Sequence, residues 1–103
     1  MNILKNIIEA AWTDRSKLSE PTTISSIKDV INLLDAGELR VAEPTADGWQ
    51  VNEWVKKAVV LYFPIQKMET IEVGIFEYHD KMPLKRGYAE KGIRVVPNAV
   101  ARH

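Results

Sequence analysis

The chain contains no cysteine, which excludes disulfides and thiolate metal sites together. It has no long apolar run. The longest, Ala58 to Phe63, falls far short of the ~20 residues that a membrane-spanning helix needs. The opening Met1-Asn2-Ile3-Leu4-Lys5 is already interrupted by charge and is followed by Asn6 and Glu9. It lacks the unbroken apolar core and small-residue cleavage site of a secretory signal, so the cytoplasm is the expected compartment. No sign of charge dominates: 14 basic residues balance 14 acidic ones, giving no electrostatic case for nucleic acid or an anionic membrane. No Gly-rich phosphate loop, G-x-S-x-G elbow or internal repeat is visible.

The 103 residues, 46% of them apolar and 27% charged, suit one small folded domain. The balanced charge is unevenly placed. Residues 1–54 carry nine acidic and five basic side chains, and residues 55–103 carry nine basic and five acidic. A basic second half suits contact with carboxylates or phosphates, although scattered solvated lysines give the same count.

Apolar periodicity marks three helices. Ile3, Leu4, Ile7, Ile8, Ala11 and Trp12 form one stripe, predicting a helix over residues 2–14. Thr13 to Pro21 reads as a connecting loop. A second helix is expected to begin among Thr22 to Ser26, with Ser26 and Asp29 as a shortened capping box. Its buried stripe is Ile24, Ile27, Ile31 and Leu34 with Val30 beside it, and Gly37 is the left-handed residue that ends it. Asn52 is expected to cap a third helix over residues 53–63, turning Trp54, Val55, Ala58, Val59 and Tyr62 inward and leaving Lys56 and Lys57 wet. Val60, Leu61 and Phe63 leave little polar face, which places this helix centrally, and Pro64 is expected to stop it.

Between the second and third helices, Leu39 to Glu43 alternates, Pro44 stops the run, and Asp47-Gly48 signals a turn before Trp49-Gln50-Val51. This predicts a hairpin with Leu39, Val41, Trp49 and Val51 on one face, packed on the helices because an isolated hairpin is marginal. Beyond Pro64, Ile71, Val73 and Ile75 alternate like a strand that Gly74 weakens. Met82-Pro83 and Arg86-Gly87 mark turns. Ile93-Arg94-Val95-Val96 is a β-prone run broken by Pro97, and residues 98–103 read as a tail. The expected class is α+β: three principal helices and a β-hairpin.

Candidate sites are few. Glu77, His79, Asp80 and the distant His103 match no closed metal site, so no metal site is expected. Glu69 and Glu72 lie in a polar stretch that offers no means of raising a catalytic pKa. Trp12, Trp49 and Trp54 read as core rather than as a recognition platform. Lys56-Lys57 and Lys85-Arg86 are too sparse for a nucleic-acid stripe. Arg94 differs, because it interrupts an apolar extended run. Its planar fork must reach water, an internal acid or the carboxylate of a ligand.

Four runs together resemble one family. Ile31-Asn32-Leu33-Leu34-Asp35-Ala36-Gly37-Glu38-Leu39-Arg40-Val41-Ala42-Glu43 resembles the helix-to-hairpin segment of tetrahydrodipicolinate N-succinyltransferases. Asn52-Glu53-Trp54-Val55-Lys56-Lys57-Ala58-Val59-Val60-Leu61 is similar to the helix that follows. Phe76-Glu77-Tyr78-His79-Asp80-Lys81-Met82-Pro83-Leu84-Lys85 resembles the family's Tyr-Phe-Asp-Lys-Val-Pro-x-Lys stretch. Gly92-Ile93-Arg94-Val95-Val96-Pro97 resembles the exit from its N-terminal domain.

The resemblance implies a cytoplasmic acyltransferase of lysine and diaminopimelate biosynthesis, moving succinyl from succinyl-CoA to tetrahydrodipicolinate, with no bound cofactor and a homotrimeric assembly. It implies that residues 1–97 form the N-terminal helical domain and that residues 98–103 begin the connection to a left-handed β-helix. That β-helix, with its catalytic acids and CoA groove, is absent from this chain. Arg94 falls at the family's carboxylate-binding arginine, and no catalytic residue is expected here. The run between Lys85 and Gly92 is shorter than the family pattern. The chain alone is therefore expected to be an inactive front portion of the enzyme. The alternative is a stand-alone, non-catalytic helical interaction module.

Overall fold

In a computed structural model, residues 2–103 are described, and they divide into two units: residues 1–65 and residues 66–103.

The first unit is a three-helix cluster. Helix α1 spans Asn2–Thr13, α2 Pro21–Asp35 and α3 Glu53–Ile65. Each packs on the other two. Ile8 and Ala11 of α1, Ile27, Val30 and Ile31 of α2, and Val55, Ala58, Leu61 and Tyr62 of α3 make the core. Each large aliphatic buried in this way contributes roughly 1.5–3 kcal/mol relative to exposure. The expected stripes are narrower at their edges. Ile3 is exposed, and Leu4, Ile7, Trp12, Ile24, Leu34, Trp54 and Val59 are half-buried. On α3, Leu61 is buried but Val60 and Phe63 are exposed, so the helix lies against one side of the cluster rather than being enclosed.

The helix ends differ from expectation for local reasons. Residues 13–21 are more than a loop, because Arg15–Ser19 forms a 3₁₀ turn capped by Asp14. Helix α2 begins at Pro21, whose fixed φ and missing N–H suit a first helical position. Ser26 therefore lies inside the helix, not at a cap, and its hydroxyl donates to the Thr22 carbonyl at 2.8 Å. At the other end, Gly37 takes φ +77. The Gly37 amide donates to Leu34 and the Glu38 amide to Leu33, a Schellman closure, as expected. Asn52 starts α3 through its carbonyl, which accepts from Val55. Its side-chain amide instead donates to the Arg40 carbonyl at 2.9 Å. Pro64 does not stop α3 but lies in its last turn. With one helical residue beyond it, the lost amide and the crowding of the preceding turn cost little.

The first hairpin is displaced from its expected position. Strand β1 is Ala42–Thr45 and β2 is Gly48–Val51, joined through Ala46-Asp47, with Thr45 opposite Gly48 and Ala42 opposite Val51. The closing pair of a two-residue turn is hydrogen-bonded. Pro44, opposite Trp49, therefore occupies a position whose amide would point out of the ladder, and it continues the strand instead of ending it. Trp49 and Val51 share a face with Ala42 and Pro44, not with Leu39 and Val41. All eight strand residues are exposed, with Trp49 at 75%, so this tryptophan is not core and the hairpin is not covered by the helices.

The second unit holds a hairpin that sequence periodicity half captured. Strand β3 is Glu69–Val73 and β4 is Phe76–Asp80. Gly74-Ile75 is the turn rather than strand, and Ile75 is 94% exposed at its tip. Residues 93–96 form no strand, because no neighbouring ladder receives them. The final residues are not a free tail either. Arg102 pairs antiparallel with Leu84, the Lys85 amide donates to Ala101 and the His103 amide to Pro83.

Candidate site: a clasped loop carrying Arg94

The bridge between Leu84 and Arg102 closes residues 85–101 into a loop whose ends meet. The clasp is reinforced where Arg102 meets Asp80 through two contacts, Nε to Oδ2 at 2.9 Å and Nη2 to Oδ1 at 3.2 Å. This two-pronged geometry is the strong form of a guanidinium–carboxylate pair. Met82, 5% exposed, lies between these partners in sequence and supplies the unit's buried apolar side chain.

Two tight turns stand on either side of Arg94. Before it, residues 88–91 make one helical turn. It closes when the Gly92 amide donates to Ala89 and the Ile93 amide donates to Tyr88. Gly92 has φ +70, so this is a second Schellman closure, in a stretch the sequence reading left between turn signals. After it, the Ala99 amide donates to the Val96 carbonyl around Pro97 and Asn98, the latter at φ +75. Proline followed by a left-handed asparagine is the signature of a type II turn. Ile93, Arg94, Val95 and Val96 lie between these turns, outside any helix or strand, and all four are exposed.

Arg94 forms no ion pair or hydrogen bond among the described residues. The guanidinium therefore remains directed to solvent or to a bound acid. Residues 85–103 carry Lys85, Arg86, Lys91, Arg94 and Arg102 against Glu90 alone. The positive balance of the second half is thus concentrated on this loop and its clasp.

The other residues singled out in the sequence do not gather around Arg94. His79 Nδ1 lies 2.9 Å from the Thr70 hydroxyl across the second hairpin. Glu72 faces Glu77, while Glu69 faces Asp80 on the other side of the same ladder, so Glu69 and Glu72 are not a carboxylate pair. Among the described residues no three potential ligands come together to hold a metal ion. Lys57 is not on the wet side of α3. It pairs with Glu9 of α1 at 2.9 Å and lies 5.7 Å from the centre of the Trp12 ring. Clefts among the described residues of the helical unit include one of about 410 Å³ beside Lys5, Glu9, Asn52 and Trp54 and one of about 360 Å³ beside Leu4, Asn32 and Glu38. Neither includes Arg94. The Asp80–Arg102 clasp escaped sequence reasoning because its partners lie 22 positions apart with no periodicity linking them.

A family model described as tetrahydrodipicolinate N-succinyltransferase N-terminal matches residues 3–65, which is the helical unit almost in full. The chain belongs to this family. Its likeness to curated relatives extends through the clasped loop as well. A 2,3,4,5-tetrahydropyridine-2,6-dicarboxylate N-succinyltransferase of Pseudoalteromonas translucida is 42% identical over 113 aligned positions, covering 99% of this chain and 41% of that protein. Proteins of the same name from Leptothrix cholodnii and Aeromonas salmonicida are each 44% identical, over 96% and 99% of the chain and 40% and 41% of their own lengths. The chain thus spans about two fifths of the relatives it matches. No helix among the described residues is long and apolar enough to cross a membrane.

Proposed function

We propose that this chain is the substrate-side N-terminal portion of an enzyme that transfers succinyl from succinyl-CoA to tetrahydrodipicolinate in lysine and diaminopimelate biosynthesis. In that enzyme Arg94 grips a carboxylate of the acceptor. The observation that carries the reading is the pairing of family membership with an unengaged guanidinium set between two closed turns. The relatives' name specifies a dicarboxylate, and a planar guanidinium fork binds such a group with two parallel hydrogen bonds. Holding the backbone on both sides of Arg94 lowers the entropy lost when the side chain engages.

The catalytic groups and the CoA site belong, on this reading, to the portion of the relatives that lies beyond the match. The complete enzyme is a cytoplasmic homotrimer with succinyl-CoA as co-substrate and no bound cofactor. A chimera tests this directly. The chain replaces the matching region of the Pseudoalteromonas translucida protein, and succinyl-CoA-dependent CoA release is measured with the acceptor present. The chimera is expected to turn over, and the 103-residue chain alone is expected to release none. A folded chimera with no activity, or turnover by the isolated chain, contradicts the proposal.

A further inference from the structure

Arg94 stands near the middle of the loop that the Leu84–Arg102 bridge closes, and that loop is built of turns rather than strands. The turns on either side set the local backbone, but neither fixes where the loop as a whole lies. That falls to its two ends. Backbone hydrogen bonds meet there, from the Lys85 amide to Ala101 and from the His103 amide to Pro83. A single bridge must hold residues 85–101 closed against the entropy that the loop gains by opening.

The Asp80–Arg102 fork adds what the bridge lacks. Asp80 is the last residue of β4, and every residue of that strand is paired with β3. Its carboxylate is thus carried by a fully paired strand, whereas Arg102 carries the far end of the loop. The two contacts, at 2.9 and 3.2 Å, tie that end to the hairpin and fix orientation as well as distance. Glu69 faces Asp80 across the ladder, and like charges directly opposite destabilise a strand pair, so the guanidinium also relieves that repulsion. The side chains of Arg102 and Asp80 are 46% and 39% exposed, and an ion pair so open to water adds little to overall stability. What it supplies is geometry, because it removes freedom from the segment that carries Arg94.

We propose that Asp80 and Arg102 are positioning residues for Arg94, holding its loop where the guanidinium meets the acceptor carboxylate. The inference rests on the acceptor-binding role proposed for Arg94. A guanidinium placed in advance loses less freedom when it engages, so opening the clasp weakens use of the acceptor through Arg94 alone. The test is a double-mutant cycle in the chimera, measuring kcat/KM for the acceptor in Asp80→Ala, Arg94→Ala and the double variant. Asp80→Ala is expected to lower kcat/KM about tenfold. That is short of the ~100-fold that a 1 Å misplacement can cost, because the backbone bridge remains. KM for succinyl-CoA should stay at the parent value. On the Arg94→Ala background the same change should have no further effect, and Asp80→Glu, which keeps the charge, should retain most of the parent activity. In the 103-residue chain, Asp80→Ala is expected to speed amide hydrogen exchange at Lys85 while Ile27 and Leu61 stay protected, which shows the variant folded. Parent-like kcat/KM in Asp80→Ala, an equal fall on both backgrounds, or unchanged exchange at Lys85 overturns the proposal and leaves the role of Arg94 standing. Parent-like kcat/KM in Arg94→Ala is a different result, and it removes both.

Discussion

Trp12 shows how single residues tie the helical unit together. The Arg15 guanidinium lies 4.8 Å from the centre of its ring and the Lys57 ammonium 5.7 Å, within the range where a cation is attracted to the indole face. Lys57 also meets Glu9, but both partners are partly exposed, so the pair itself contributes at most about 1 kcal/mol. Beside this cluster, the Asp14 carboxylate accepts from the Ser16 hydroxyl at 2.6 Å and from its amide at 3.1 Å. The side-chain hydrogen bond first, and the backbone one second, hold its pKa below the ordinary 3.8. A depressed folded value means the cap contributes fully above the unfolded pKa and is lost as pH falls through the folded one. A carboxyl titration by NMR should therefore place the Asp14 midpoint below 3.8, and Ser16→Ala should move it back up. An unshifted midpoint in the parent chain would remove the cap.

At the scale of elements, apolar spacing alone makes the three helices legible, because Ile8, Ile27, Val30, Val55 and Ala58 recur at intervals that only a helix places on one side. The ends were less legible, since prolines have two opposite uses. Pro21 begins a helix, Pro44 sits on a strand edge and Pro64 occupies a last turn. Which use applies depends on where the missing amide would point, and that is decided by register rather than by the residue. Gly37 is the contrary case, where local chemistry suffices. At φ +77 an L side chain is strained, while a Cβ built there meets nothing within 4 Å. Gly37→Ala should therefore destabilise the chain by about 1–2 kcal/mol through the backbone alone, with Gly37→Asn closer to the parent. Urea denaturation checks both. Equal midpoints for parent and alanine variant would show that the Schellman closure is not holding the end of α2.

Across the whole molecule, legibility follows the range of the contacts. The first unit is built from neighbouring helices whose facing stripes could be read, while the Arg15–Ser19 turn was not foreseen and β1 begins three residues later than expected. The second depends on pairings over long stretches of chain: Leu84 with Arg102 and Asp80 with Arg102. Neither leaves a periodic trace, so residues 93–96 looked like a strand and residues 98–103 like a tail. Arg94 stands out in the sequence for a different reason. A charge inside an apolar run is expected to meet water, an internal acid or a ligand, and among the described residues no acid pairs with it.

The same chimera with the Pseudoalteromonas translucida remainder allows the decisive comparison. Arg94→Ala and Arg94→Lys are measured for kcat/KM toward tetrahydrodipicolinate at saturating succinyl-CoA. Loss of a charge-assisted hydrogen bond to the acceptor predicts a fall of about 10- to 100-fold for alanine. Lysine should recover only part of it, because an ammonium keeps the charge but not the fork. Parent-like kcat/KM in the alanine variant would contradict the role assigned to Arg94.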